Sequence, residues 1–421
     1  MRKILPFDAA IFDLDGTLLD SMYVWHHIDD VYFARRGMKT PPDYGRALAG
    51  LSYRESAEYT KACFGFPEPW EEIVQEWTTL AREEYALHVP LKKGAREYLT
   101  FLKAAGVKLA VATALPEYLY RPCLEHLGVL DMFEALCSTD ETGGRGKKNG
   151  EVFLLAASRL GVEPEKCIVF EDTLEGLCGA KKAGMLACCA KDASNSHAHP
   201  EIETFADDMV DCFLDILPRC VIFTARCEGD LAKAYADRRE NDFILCADAG
   251  YELARKLGVK PDVVIGDFDS MDAPEGEEII RHPVIKDDTD TILCINHALG
   301  LGLRSFLIVG GIGGRLDHTI ANLQTLSYII EHGGQAELCD GSQRIHAVKE
   351  GSIRVPRTNG KLSVFALSGK CEGVFIRGAK YNVENATLTT DYPLGMGNDF
   401  IDDTAEIGTK TGTLLVIAEI K

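Results

Sequence analysis

Asp13-Leu14-Asp15-Gly16-Thr17 closes the short apolar run Ala9–Phe12 with two carboxylates at i and i+2 and a glycine that permits a sharp turn. One such carboxylate can attack phosphorus or hold a metal, while the other exchanges a proton with the leaving group. Solvated acids at a strand end would look the same in isolation, but three more stretches weigh against that reading. Val111-Ala112-Thr113 ends an apolar run in a hydroxyl suited to a phosphoryl oxygen, and Lys147 stands before a helix, where it can neutralise the same group. Ile168-Val169-Phe170-Glu171-Asp172 ends in two acids suited to Mg2+, a hard ion that prefers carboxylates and water.

A second, denser set follows. Ala247-Asp248-Ala249-Gly250, Gly266-Asp267-Phe268-Asp269-Ser270 and Lys286-Asp287-Asp288-Thr289-Asp290 precede Gly310-Gly311-Ile312-Gly313-Gly314-Arg315-Leu316-Asp317-His318. Acids gathered at one sheet edge repel unless cations compensate, and Mg2+ on a polyphosphate is the natural answer. The glycine loop lets backbone N–H groups approach phosphate oxygens, and Arg315 can clamp them in bidentate fashion. The loop is not a Walker A sequence, and it does not match the dinucleotide-binding glycine pattern.

The elements that must carry these groups alternate. After about seventy residues rich in Trp, Tyr, Glu and Arg, helices are expected at 95–105, 117–127, 151–160 and 175–183, and strands at 108–113, 135–138 and 167–170. Short buried strands alternating with helices predict βαβ units and a parallel sheet, with the early helical block as an insertion. Residues 192–218 read as a polar, irregular connection. A new βα series opens at Cys220, and runs through 243–247, 262–265 and 306–309. Beyond about residue 335 only strands broken by Gly, Asn and Asp are expected, including separate strands at 404–407 and 413–418.

The chain has 421 residues and a formal charge of −20, from 45 basic and 65 acidic side chains. The negative excess spans both halves, which argues against nucleic acid or an anionic membrane as partner. The 14 cysteines are scattered without a CxxC pair, which favours buried reduced thiols over zinc sites or disulfides. With no signal peptide and no apolar run near the length of about 20 residues that crosses a bilayer, a cytoplasmic protein is expected.

Over residues 8–216 the four motifs, in order and spacing, resemble the haloacid dehalogenase-like phosphatase superfamily, and the insert at about 18–90 stands where its phosphoglucomutase-like branch carries a helical cap. The resemblance implies a Rossmann-like core. Asp13 would be the nucleophile that forms an aspartyl-phosphate, Asp15 the general acid and then base, and Thr113 and Lys147 the holders of phosphoryl oxygens. Asp172, with Glu171 nearby, would complete a Mg2+ site with Asp13. Lys148-Asn149-Gly150 replaces the prolines usual after the lysine.

GDFDS, KDDTD and GGRLDH look like thiamine pyrophosphokinase, over about residues 219–421. The resemblance implies an α/β catalytic domain at 219–335 and a β-rich, sandwich-like thiamine-binding domain at 336–421. It implies pyrophosphate transfer from ATP to thiamine, giving thiamine diphosphate and AMP, in a homodimer formed through the C-terminal half. Asp267, Asp269 and Asp290 would hold Mg2+ and the pyrophosphoryl group, and Asp248, Arg315 and Asp317 would complete the nucleotide side. In the thiamine pocket Asn398 matches the family's Ser-Asn step, while Gly397 stands where serine is expected. Thr224–Gly229 replaces the family's glycine-rich opening.

The two halves together predict a bifunctional enzyme: a small phosphomonoester, with thiamine monophosphate as one candidate, for the first site, and thiamine and ATP for the second. A sugar-phosphate phosphatase or mutase at the first site, or a thiamine-sensing module in place of the kinase, are the competing readings. His197 and His199 read as linker residues, His318 as a helix-start residue, and Trp25, Trp70 and Trp77 as core of the insert, with Trp25 and Tyr23 also candidates to line a specificity pocket.

Overall fold

Buried apolar runs that end in acids become, in both halves, the central strands of parallel sheets. The computed structural model describes residues 5–48, 53–144, 146–268, 273–283 and 288–421. These fall into two compact units, Leu5–Ile216 and Leu217–Lys421.

In the first unit the strands are β1 (Ala9–Phe12), β2 (Lys108–Thr113), β3 (Ala135–Ser138), β4 (Cys167–Glu171), β5 (Leu186–Ala190) and β6 (Asp208–Val210). They form one parallel sheet in the order β3-β2-β1-β4-β5-β6. The central position of β1 explains its fully buried Ala9, Ala10, Ile11 and Phe12. Phe12 stacks on Phe170 with centroids 4.8 Å apart, and Tyr98 and Phe213 pack around them.

Phe213 belongs to the stretch expected to be an irregular connection, and that expectation is corrected. Residues 192–216 include the helix His199–Phe205 and edge strand β6, and they bury Ile202, Val210 and Phe213. An edge strand of three residues next to a Pro-started helix leaves too little periodicity to be read locally.

The insert holds the helices Val24–Ala34, Tyr44–Leu48, Tyr53–Phe64 and Trp70–Leu87. Its aromatic richness makes a core of its own, in which Tyr32 meets Trp77 and Phe66, and Phe33 meets Tyr44 and Phe64. Arg36 lies 3.7 Å from the Tyr32 ring centroid and pairs with Glu68 and Glu76, so its charge is compensated at the edge of that core. Trp77 is buried as expected, but Trp25 is 40% exposed and is not core. The two crossings between insert and sheet run side by side, with Asp20 N–H donating to Pro90 O and Lys92 N–H donating to Leu18 O.

In the second unit β7 (Cys220–Phe223), β8 (Phe243–Ala247), β9 (Val263–Gly266), β10 (Ile279–Arg281), β11 (Ser305–Val309) and β12 (Gln335–Cys339) run parallel in the order β10-β9-β8-β7-β11-β12. The same sheet continues antiparallel through β13 (Gln343–Pro356), then on to β18 (Thr404–Glu419), β14 (Leu362–Ala366) and β17 (Gly395–Asn398). β15 (Lys370–Arg377) pairs with β16 (Val383–Thr389) and with β18. The two strands expected at 404–407 and 413–418 are one strand of 16 residues. It pairs with β13 along its length across a register shift between Lys349 and Gly351. The β-rich tail has its own core around Val364, Cys371, Val374, Ile407 and Leu414.

All 14 cysteines are free and most are buried. Among the described residues no helix is long and apolar enough to cross a membrane.

Candidate active sites

Register fixes the first site. Phe12 is level with Val111 and with Phe170, so Asp13, Thr113 and Glu171-Asp172 emerge at the same carboxyl-terminal sheet edge, where open α/β sheets place their ligands. Asp13 is buried, and its backbone N–H donates to Phe170 O at 3.0 Å. Lys147 reaches in from the loop before helix Glu151–Leu160 and pairs with Asp13 and, at 2.8 Å, with Glu171. Lys148 points outward and is exposed, which separates the two adjacent lysines. Ligand atoms of Asp13, Glu171 and Asp172 all lie within 4.8 Å of one another. Together with Asp15 and Thr113, the cluster lines a cavity of about 280 Å³.

The charge balance of this cluster is uneven. Three buried carboxylates face one ammonium, so full ionisation lacks two positive charges. Burial pushes the Asp172 carboxyl up to about 8, with repulsion from Glu171 and Asp13 adding to it. Glu171 is pushed up by burial and by Asp13, against the pull of Lys147. The Lys147 ammonium is held protonated by Asp13 and Glu171 against its own burial. Oδ1 of Asp172 is buried with no hydrogen-bond partner among the described residues. A buried acidic triad with an orphaned oxygen and a deficit of two charges fits a divalent cation.

Asp15 stands apart from that triad. Its Oδ1 accepts hydrogen bonds from Ser21 Oγ at 2.6 Å and Tyr85 Oη at 2.8 Å. Burial raises its carboxyl above the usual range, although the Ser21 bond opposes this, and Asp13 raises it further. Gly16 adopts φ +74°, and a methyl there would run into the Asp172 carboxylate, so the glycine gives both the turn and the space. Thr113 accepts from Leu115 N–H at 3.0 Å, which fixes its hydroxyl over the cavity.

Sequence motifs alone miss three residues here. Ser21 and Tyr85 clamp Asp15, and Asn195 Nδ2 donates to Asp172 Oδ2 at 2.5 Å. Asn195 is 23 positions from its partner and lies in the segment expected to be a linker, so no local spacing reveals it.

In the second unit Ala247 is level with Ile265, and Phe223 with Cys246 and Val309. Thr224, Asp248, Asp267 and the Gly310–Gly314 loop therefore leave the sheet at one edge. Asp248 and Phe268 hold φ of 45° and 57°, the left-handed region that side chains avoid, which marks this edge as strained. A cavity of about 330 Å³ is lined by Thr224, Arg226, Asp248, Asp290, Gly311 and Arg315, among others. Asp290 opens helix Asp290–Gly300, whose cap is Thr289, accepting from Ile292 N–H at 3.3 Å. Arg315 pairs with Asp317 through two bonds, both side chains largely exposed. Asp269 lies outside the described residues, as do Ser270, Lys286 and Asp287 of the same motifs.

Asn398 is buried and does not line that cavity; its amide accepts from Tyr381 N–H and donates to Tyr381 O. Gly397 adopts φ +73°, a conformation a serine would strain to reach, and its N–H donates to the Ser363 hydroxyl at 3.1 Å. A hydroxyl thus stands beside the position, contributed by another strand.

Comparison with known proteins agrees with both halves. The family model for haloacid dehalogenase-like hydrolase matches residues 7–184. Those for the thiamin pyrophosphokinase catalytic domain and vitamin B1 binding domain match residues 238–337 and 350–414. A Bacillus subtilis protein named as phosphatase YhcW is 32% identical over 181 residues, covering 42% of this chain and 80% of the relative. A phosphorylated carbohydrates phosphatase of Thermotoga maritima is 30% identical, covering 42% and 82%. The solved thiamine pyrophosphokinase of Bacillus subtilis aligns at 21% identity and TM-score 0.44, covering 48% of this chain and all of that one. Through residues 7–184 the chain belongs to the haloacid dehalogenase-like hydrolases, and it is an enzyme that joins this phosphatase domain to thiamin pyrophosphokinase catalytic and vitamin B1 binding domains.

Proposed function

We propose a bifunctional enzyme of three domains: a phosphomonoesterase at 1–216, a pyrophosphate-transferring α/β domain at 219–335 and a thiamine-binding β domain at 336–421. The observation that carries the first activity is the buried Asp13–Lys147–Glu171–Asp172 cluster beside a separately clamped Asp15. An Asp13 oxygen attacks phosphorus as the ester P–O bond breaks, and Asp15 gives its proton to the departing alkoxide. Asp15, now a carboxylate, takes a proton from water, whose oxygen attacks phosphorus. The bond to Asp13 breaks, inorganic phosphate leaves, and both aspartates return to their starting states. The raised Asp15 carboxyl suits a group that must begin protonated. Thr113 and Lys147 hold phosphoryl oxygens. Asp13, Glu171 and Asp172 would hold Mg2+, which neutralises charge on the phosphoryl group.

Asn195→Ala tests the positioning of Asp172. The Mg2+ concentration for half-maximal phosphate release is expected to rise by about tenfold or more, as for lost outer partners of metal ligands. A titration with MgCl2 that superimposes on the wild-type curve would remove Asn195 from the site.

At the second site the thiamine hydroxyl oxygen attacks the β-phosphorus of ATP, the bond from that phosphorus to the α-phosphate oxygen breaks, and AMP leaves. The hydroxyl proton departs towards Asp290. Asp267, Asp269 and Asp290 would hold Mg2+, with Asp248, Arg315 and Asp317 on the nucleotide side and Asn398 shaping the thiamine pocket. Exposed Tyr381, Tyr392, Leu394 and Met396 support a homodimer through this half.

The pairing of activities supports thiamine monophosphate as the first substrate, because its phosphorylated hydroxyl cannot accept pyrophosphate until it is freed. The full chain with Mg2+ and thiamine monophosphate is expected to release phosphate faster than from unrelated esters. With ATP added, it is expected to form AMP. Phosphate release no faster than from a hexitol phosphate would favour the sugar-phosphate reading instead, which the name of the Thermotoga maritima relative supports.

A further inference from the structure

The phosphoryl chemistry accounts for the acids of the first cavity and leaves a group of side chains from the helical insert, beside Asp15, unused. Met22 lines the cavity, and Met22, Tyr23 and Trp25 are each about 40% exposed, beside the start of helix Val24–Ala34. Glu84, only 9% exposed, comes from helix Trp70–Leu87 and accepts a hydrogen bond from Tyr23 Oη at 2.9 Å. His27 Nε2 lies 3.7 Å from the other Glu84 oxygen. The neighbours of this pair touch the general acid directly, because Ser21 and Tyr85 both donate to Asp15. The Tyr23–Glu84 pair therefore joins the two segments that clamp Asp15, with Glu84 next to Tyr85 and Tyr23 two residues after Ser21.

Apart from His27, the charged groups that act on Tyr23 are acidic. Glu84 and Asp20 both act on Tyr23 and push its hydroxyl up to about 12, burial being the larger cause. Arg82, on the same helix as Glu84, is occupied over the Tyr118 ring, 4.7 Å from its centroid. Aromatic faces backed by a buried carboxylate attract an organic cation and disfavour a second phosphate. We infer that Glu84, acting through Tyr23 and together with the Trp25 ring, selects phosphomonoesters whose leaving alcohol carries a fixed positive charge, such as a quaternary ammonium or an aromatic cation. The inference rests on the phosphomonoesterase reading of this site, and it assigns the substrate class that thiamine monophosphate would exemplify. Tyr23 and Trp25 contact the cation, whereas Glu84 positions Tyr23 and supplies the charge.

The test compares two esters of one shape. Phosphocholine carries a trimethylammonium group, and neohexyl phosphate replaces its nitrogen by carbon. For the full-length enzyme with Mg2+, kcat/KM for phosphocholine is expected to exceed that for neohexyl phosphate at least about tenfold. Glu84→Gln keeps an acceptor for Tyr23 and removes the charge, and it is expected to shrink that ratio at least about fivefold. Trp25→Ala, at a position 40% exposed, is expected to shrink it as well. A purely structural role for Glu84 would lower both rates together and leave the ratio unchanged. A wild-type ratio near one, or a ratio that neither variant moves, overturns the inference even if thiamine monophosphate is cleaved. A strong charge preference without cleavage of thiamine monophosphate upholds it and rejects that substrate. No phosphate release from any of the three esters overturns both readings.

Discussion

Asp13→Asn is expected to lower phosphate release by at least about 10³-fold, the scale on which loss of a nucleophile acts, while AMP formation from ATP and thiamine continues. The amide oxygen that replaces the carboxylate is a poor nucleophile, and no other described carboxylate can take its place. Glu171 is paired with Lys147, Asp172 is held by Asn195, and Asp15 is clamped by Ser21 and Tyr85. The fold should survive, because the change removes one of three crowded buried charges and leaves Lys147 its partner at 2.8 Å. A melting temperature at or above that of the wild type, measured without Mg2+, is the companion expectation. Phosphate release within tenfold of the wild type in that variant would reject Asp13 as the attacking group.

This prediction draws on a part of the molecule that the sequence made legible. Strands β2 and β3 fall where their apolar runs place them, 108–113 and 135–138, because each is short, buried and ends in a hydroxyl residue. Asp13, Thr113, Lys147, Glu171 and Asp172 follow at strand ends or before a helix, so sheet order alone gathers them. The residues that tune the acids were out of reach. Tyr85 is 70 positions from Asp15, and its role depends on how the helix Trp70–Leu87 returns to the sheet. Trp25 looked like core because large aromatics usually are, yet the insert had already filled its interior with Tyr32, Phe33, Tyr44, Phe64 and Trp77.

The second unit was legible in its chemistry more than in its geometry. The glycine loop, Asp248 and Asp290 meet at one cavity, as strand-end placement suggests. The long strands were harder: β13 has no counterpart among the expected strands, and β18 was expected as two, although the ladder carries through Gly408 and Gly412. Gly351 tolerates this at a register shift, where Glu350 takes φ 46° and the strand bends. The Arg315–Asp317 pair shows a different limit. The resemblance put both on the nucleotide side, and the structure adds that the Arg315 guanidinium donates twice to the Asp317 carboxylate.

Asp290→Asn should abolish AMP formation from ATP and thiamine, a loss of at least about 10³-fold, with phosphate release at the first site unchanged in the same preparation. The substitution separates charge from structure. Thr289, not Asp290, caps the helix Asp290–Gly300, so the cap bond to Ile292 N–H is kept. The lost acid at the helix start costs about 0.3–1 kcal/mol through the helix dipole, too little to unfold the unit. What remains is removal of one negative charge from a cavity that also presents Asp248, while Gly311, Gly313 and Arg226, which line the same cavity, stay in place. ATP binding is therefore expected to persist, and the defect should appear in the rate of transfer rather than in occupancy. A thiamine-sensing module would form no AMP in either protein, so wild-type turnover is the first control. Near-normal transfer by the variant would take Asp290 out of the mechanism and leave Asp267 to carry the hydroxyl's proton.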